Sequence, residues 1–314
     1  MDNLIFCLNA TVPIFVLIIL GKLLQRWHFF SPATMKDMDN LVFKLLLPIS
    51  LFRSISSNSI AEQFDLRFFL FCFCATLLSF FVIWAGASLL LPEKAMVGAF
   101  TQGAFRGSQA ILGMAFMMNL YGNAGLVPLM ILASVPLFNI FSVVALTLSA
   151  AGPSQKKGLA GRTLHGVVTN PIILGILIAL PFSFLQVEVP AMVAKTLDAL
   201  ANCATPLALL SIGASFEGAK AFKKIVPTSA ASFIKLVGLP IVFLPVAVWM
   251  GFRGQALVTI LIMLGTPAPP AGYVMAKKLH GDAELASSIV VVTTAFSAVT
   301  LTVLLYIVRV LGLV

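Results

Sequence analysis

Between Phe68 and Leu91 the chain carries no charged side chain, and the same holds from Leu126 to Ala150 and from Leu285 to Tyr306. Each run is long enough for a helix to cross the hydrocarbon core of a bilayer, which takes about 20 residues. With 60% hydrophobic and 10% charged residues in 314, against about 25% charged in a soluble domain, the chain cannot bury its apolar surface in water. The pattern predicts an all-α integral membrane protein with room for roughly ten crossings. The net charge of +9 then belongs to lysines in cytoplasmic loops and not to nucleic-acid binding. Cys7, Cys72, Cys74 and Cys203 lie in apolar runs without metal-ligand spacing and read as small packing residues. The first residues lack the basic region of a signal peptide, which predicts an uncleaved first helix.

The runs place helix 1 at Leu4–Leu24, helix 2 at Met38–Ile55, helix 3 at Phe68–Leu91, helix 4 at Ala95–Leu120 and helix 5 at Leu126–Ala150. Helix 6 follows at Asn170–Leu185, helix 7 at Ala194–Phe216, helix 8 at Thr228–Phe252, helix 9 at Ala256–Leu279 and helix 10 at Leu285–Val310. Helices 3, 5, 8 and 10 are the least polar and are expected against lipid or scaffold. Twelve basic residues fall at the loops after odd-numbered helices: Lys22, Arg26, Lys36, Lys94, Lys156, Lys157, Arg162, Lys220, Lys223, Lys224, Lys277 and Lys278. Five fall on the other side, Arg53, Arg67, Lys195, Arg253 and Arg309. The positive-inside rule therefore puts the odd loops in the cytoplasm and both termini outside.

Helix 9 is interrupted by its own sequence. In Ile260–Asp282, Pro267, Pro269 and Pro270 fall between Gly265 and Gly272, and each interior proline removes a donor and clashes with the preceding turn at about 3 kcal/mol. Broken backbone at membrane depth is tolerated where it lines a cavity or is buried in protein, so this stretch is a candidate binding site.

A shift of 158 residues aligns the two halves: Pro13 meets Pro171, Pro48 meets Pro206, Gly107 meets Gly265 and Ser108 meets Thr266. One residue later in register, LYGNAGL from Leu120 matches LHGDAEL from Leu279. Residues 1–150 thus read as a first five-helix repeat, 151–167 as a cytoplasmic connector and 168–314 as a second repeat. Five is odd, so the copies insert with opposite topology, a plan of secondary transporters whose substrate sits where broken helices meet. The counterpart of the helix 9 break is Gly103–Phe116 in helix 4. It contains no proline and predicts a softer break there. Half-helix N-termini at such a crossing suit an anion.

Ionisable residues well inside crossings are functional candidates by default. Here they are Arg106 beside the helix 4 break, Lys44 one turn before Pro48, Lys235 five residues before Pro240, and Asp198 eight before Pro206. Arg106 is a substrate or counter-charge candidate. Lys44 and Lys235 carry charge or anchor packing. Asp198 could relay a proton, hold Arg106 or Lys44, or cap helix 7, and Asn202 and Cys203 are expected to line the same cavity. Three interior cations against one anion favour an anionic substrate. His28, His165 and His280 map to cytoplasmic ends and read as solvated. No nucleophile–histidine pair, metal spacing or phosphate loop is present, so no enzyme, cofactor or metal is expected.

LVFKLLLPISLF in helix 2, NPIILGILIAL in helix 6, PLALLSIG in helix 7 and PPAGYVMAKKLHGDAELASSIVVVTT in helices 9–10 resemble the auxin efflux carrier family over nearly the whole chain. The resemblance implies ten helices as an inverted five-plus-five repeat, with broken helices 4 and 9 crossing. It also implies an elevator movement of helices 3–5 and 8–10 against a scaffold of helices 1, 2, 6 and 7, often in a homodimer. It places an organic carboxylate, malonate- or malate-like, by Gly107, Ser108 and Gln109 in helix 4 and Pro269, Pro270 and Tyr273 in helix 9. The family's usual Gly-Asn-x-Gly in helix 4 is altered, with Ser108 at the asparagine and Ala110 at the second glycine, and Ala115 stands where a proline is usual. The long cytoplasmic loop of the plant members is absent, which points to a permease of the bacterial inner membrane. Carboxylates are missing from the middle of helices 4 and 9, which counts against sodium coupling and leaves proton coupling open. A sodium-coupled carrier of bile-acid type and a membrane sensor that binds without transport are the competing readings.

Overall fold

The structure is a computed structural model that describes residue 13 and residues 16–56, 64–123, 125–150, 169–185, 187–215 and 224–314. All regular structure among them is helical. Helix α1 covers 16–26. Helix α2 runs through Pro32–Leu41, a π-helical turn Val42–Leu46 and Leu47–Ser56. Helix α3 is Leu66–Leu90. Helix α4 comes in two pieces, α4a Lys94–Phe105 and α4b Gln109–Tyr121. Then follow α5 Val127–Ala150, α6 Pro171–Phe184 and α7 Ala191–Ser215. Helix α8 runs Ile225–Phe233, a π turn Ile234–Gly238 and Leu239–Trp249. Helix α9 is again in two pieces, α9a Gly254–Gly265 and α9b Ala271–Lys278, and α10 is Ala283–Val310. Helices α3, α5, α7, α8 and α10 are long and apolar enough to cross a membrane.

The start of helix 1, the connector 151–167 with Lys156, Lys157, Arg162 and His165, and Lys220 and Lys223 lie outside the described residues. Helix α2 begins six residues before the Met38 expected from hydropathy, because Ser31 caps it: its hydroxyl accepts from the Thr34 amide at 3.1 Å, and Pro32 takes the first helical position. Both π turns have one cause. Pro48 and Pro240 each follow their π turn closely, and a proline ring clashes with the carbonyl four residues back. Widening the turn moves that carbonyl aside, and Leu47 N–H and Leu239 N–H bond instead to Val42 and Ile234.

The second half of α2 packs on α6, and α4a is clasped by α3 and α5. Helix α1 approaches α7 through Gly21 and Gly213, where any added Cβ would collide with the backbones of Leu210 and Ile18. Helix α5, expected against lipid or scaffold, is the most enclosed of the five long helices; its Phe138, Val143, Ala145 and Leu146 are buried. The periphery belongs to α3, α7 and α8, where Leu89, Leu90, Met192 and Trp249 are more than four-fifths exposed, and to α10, where Tyr306 and Val310 are about two-thirds exposed. Apolar side chains spread over a surface on this scale fit contact with lipid.

Candidate functional site

The interruption in α9 spans Thr266–Pro270, as its prolines require. Thr266 is extended, and its amide still reaches Ile262 O at 3.0 Å. The freed Ala268 amide donates to Thr293 Oγ1 of α10 at 3.1 Å. The interruption in α4 covers Arg106, Gly107 and Ser108. It is shorter but complete, with Arg106 in extended conformation. No proline forces it, and its reason is tertiary: the Ser108 amide leaves the helix to donate to Pro267 O at 2.8 Å. Gly107 permits the approach, because a Cβ there would stand 2.5 Å from Thr266 Oγ1 and 3.2 Å from Met263 O. A second tie joins the two helices, Gln102 Nε2 donating to Gly272 O at 2.8 Å.

A cavity of about 180 Å³ opens where the two breaks face α2, α5, α6 and α7. Arg106, Gly107, Ser108, Pro269 and Pro270 line one side; Ser50, Asn139 and Thr205 add polar groups among apolar neighbours such as Leu47, Ile172 and Ala208. A single water needs roughly 10–15 Å³ by this kind of measure and drug-sized ligands occupy sites of roughly 300–1,000 Å³, so the space suits a small solute. Arg106 is 6% exposed, and its Nη1 contacts Met275 Sδ at 2.9 Å. Among the described residues no carboxylate pairs with it. Helix α4b starts three residues later, and its N-terminal end adds positive partial charge.

The other sequence candidates fall elsewhere. Gln109 is buried and donates to Ser134 Oγ of α5, behind the cavity wall. Tyr273 is also buried behind the wall, its hydroxyl accepting from Lys277 Nζ at 3.1 Å. Lys235 is fully enclosed on the far side of the breaks and donates to Met263 O and Leu264 O at 3.2 and 2.8 Å. Lys44 is exposed on its π turn. Asp198 pairs with Arg53 at 2.6 and 3.0 Å, its side chain about half exposed, and not with Arg106 or Lys44. Asn202 and Cys203 face outward, and the next turn positions, Ala204, Thr205 and Ala208, meet the cavity instead.

Three polar features escaped the sequence reading. Asn139, a polar residue deep in an apolar run just after Pro136, could have been found by the rule that singled out Arg106. Thr205 sits directly before Pro206. Asp39 is the third, a fully buried carboxylate 2.6 Å from Lys277 Nζ that also accepts from Ser211 Oγ at 2.5 Å. At the start of α8, burial alone would lower the Lys224 ammonium. Its bond to Asp282 at 2.6 Å and the charges of Asp282 and Glu284 outweigh that and hold it above the ordinary lysine value.

Two interrupted helices meeting over a small cationic cavity, in a chain with several membrane-length spans, define a multi-pass membrane protein that handles a small solute. Residues 6–305 match the family described as membrane transport protein, and the chain belongs to that auxin-efflux-carrier-like family of transporters, not to a family of enzymes. It is 26% identical over 312 residues to a protein of Rhizobium meliloti named "Putative malonate transporter", covering 96% of this chain and 95% of that one. It is 24% identical over 297 residues to the uncharacterized transporter YfdV of Escherichia coli K12, covering 91% and 94%. A third relative, the uncharacterized transporter MJ1031 of Methanocaldococcus jannaschii, is 22% identical over 300 residues, covering 92% and 95%.

Proposed function

We propose that this chain is a secondary transporter, a permease that carries a small organic carboxylate of the malonate or malate kind across a bacterial inner membrane, with both termini outside. The observation that carries the reading is Arg106, buried, lining the cavity and without a carboxylate partner among the described residues. A buried guanidinium left unpaired is expensive, and an anion entering the cavity would supply the missing charge. Among the described residues the other buried acidic and basic residues (Asp, Glu, Lys, Arg) are Asp39 and Lys235. Asp39 is already neutralised by Lys277, so the interior keeps an excess of positive charge. The name of the Rhizobium relative supports a short dicarboxylate.

The architecture we infer is ten crossings in an inverted repeat, residues 1–150 and 168–314 joined by a cytoplasmic connector at 151–167. The shift of 158 residues carries α1 onto α6 and α2 onto α7. The α1–α7 contact is then the image of the α2–α6 contact, and the two breaks, which that shift brings within a few residues of each other, are bonded directly. In an elevator movement α1, α2, α6 and α7 would stand still while α3–α5 and α8–α10 slide. The cavity lies between those two groups: Ser50, Ile172 and Thr205 on one side, Arg106–Ser108 and Pro269–Pro270 on the other. The test is uptake of labelled malonate into proteoliposomes. Saturable uptake competed by unlabelled malate is expected. No uptake across a broad panel of small organic acids would overturn the reading.

A further inference from the structure

Helix α9a ends at Gly265 inside the protein, and the carbonyls of a helix's last turn have no partners within the helix. They form the negative end of its dipole. Met263 O and Leu264 O are met by the ammonium of Lys235 at 3.2 and 2.8 Å. Lys235 arrives from the π turn of α8 with none of its surface exposed. Thr266 Oγ1 is likewise fully buried and has no hydrogen-bond partner. It faces the same small space, because a Cβ on Gly107 would lie 2.5 Å from Thr266 Oγ1 and 3.0 Å from Lys235 Nζ. Two backbone carbonyls at a helix C-terminus and a free hydroxyl at an unwound segment are oxygen ligands of the kind that hold a monovalent cation in broken-helix transporters. Among the described residues no carboxylate joins them.

We propose that the Lys235 ammonium is a resident cation at the crossing, held by the Met263 and Leu264 carbonyls beside the free Thr266 hydroxyl, in a space that would otherwise take a monovalent metal ion, so that the carrier works without a cotransported metal cation. The residue positions α9a against the α4 break and does not touch the substrate. The clause on transport rests on the function proposed above, whereas the cation site itself does not.

The cation site is therefore tested first on purified protein in detergent with no organic acid present, by comparing thermal unfolding in sodium, potassium and choline chloride at equal ionic strength. The wild-type midpoint should be the same in all three. Lys235→Ala should unfold at lower temperature in choline, and sodium or ethylammonium should restore part of the loss, because either can enter the vacated space. Lys235→Met, which keeps the volume but not the charge, should be destabilised without rescue. In proteoliposomes, uptake by wild type should be indifferent to sodium. Lys235→Ala should lose about tenfold or more, as expected when two charge-assisted bonds are removed, and ethylammonium should recover part of it. A wild-type midpoint that rises specifically with sodium or potassium would overturn the proposal, as would a Lys235→Met protein as stable as wild type. If Lys235→Ala does not fold, the wild-type salt comparison and Lys235→Met still decide.

Discussion

Asp39 and Lys277 form an ion pair of 2.6 Å between α2 and the end of α9b. Ser211 of α7 donates to the same carboxylate at 2.5 Å, and the neighbouring Lys278 donates to Asn40 Oδ1 at 2.8 Å. The pair therefore clips the half-helix that follows the α9 break onto α2 and α7. Its two ends are unequal: Asp39 is wholly enclosed, whereas the Lys277 side chain keeps a third of its surface.

That inequality sets a direction for mutation. Lys277→Met strands a buried carboxylate, and breaking a buried pair in this way costs roughly 3–5 kcal/mol. Asp39→Asn leaves an ammonium that can still turn toward water, and the loss should be nearer the roughly 1.5–3 kcal/mol of a charged hydrogen bond. Thermal unfolding of the purified variants should rank Lys277→Met below Asp39→Asn. The double variant should lose less than the sum of the two, the signature of direct coupling. If α9b slides past α2 during transport, the pair must open in each cycle, and Asp39→Asn should change the uptake rate more than the substrate affinity.

Arg106 and Asp198 looked alike in the sequence, two charges inside apolar runs, and they should behave in opposite ways. Arg106→Ala is expected to weaken binding of malonate by an order of magnitude or more, since a buried charge-assisted bond contributes roughly 1.5–3 kcal/mol. Asp198→Asn removes half of a partly exposed pair with Arg53, and pairs of that kind contribute at most about 1 kcal/mol. Calorimetric titration should find affinity unchanged in Asp198→Asn and reduced in Arg106→Ala. Equal effects would remove Arg106 from the site.

Gly107 is held by what surrounds it. The nearest atoms to an added methyl include Met263 O, a backbone atom fixed in α9a, so the neighbours cannot simply rotate away. Overpacking of this sort costs typically about 1–3 kcal/mol, and here it would be relieved by parting the two breaks. Gly107→Ala should therefore unfold at a somewhat lower temperature yet lose most of its uptake. Wild-type uptake by a Gly107→Ala protein would mean that close contact between the breaks is not needed.

The division between what the sequence disclosed and what it hid follows from where each interaction is decided. The α9 break was legible because Pro267, Pro269 and Pro270 act on their own backbone. The α4 break was legible only as a loosening, because it is made complete by the Ser108–Pro267 bond to a segment far along the chain. The apolar runs put Lys44 and Asp198 inside helices but could not say which face they occupy, and both face outward or toward a surface partner. Asp39 was hidden for the same reason: near a helix start an aspartate reads as solvated, and only the packing of α2, α7 and α9b encloses it. Of the residues singled out in the sequence, the five that line the cavity, Arg106, Gly107, Ser108, Pro269 and Pro270, all sit at the breaks themselves.

The contact of α1 with α7 offers a test of the proposed stationary group that is independent of substrate. A Cβ at Gly213 would collide with Ile18 O, and one at Gly21 with Leu210 O, so the two helices touch backbone to backbone with no side chain between them. Small residues at such a seam are how membrane helices approach closely when lipid supplies no hydrophobic drive. Gly213→Val must push α1 away from α7, and it should lower thermal stability by more than Gly107→Ala does, since no break nearby can absorb the displacement. Because Gly213 is not among the residues that line the cavity, malonate affinity in the protein that remains folded should be close to wild type. A Gly213→Val protein with full stability would show that α1 can detach from α7 at little cost, and the two could not then serve as a rigid support.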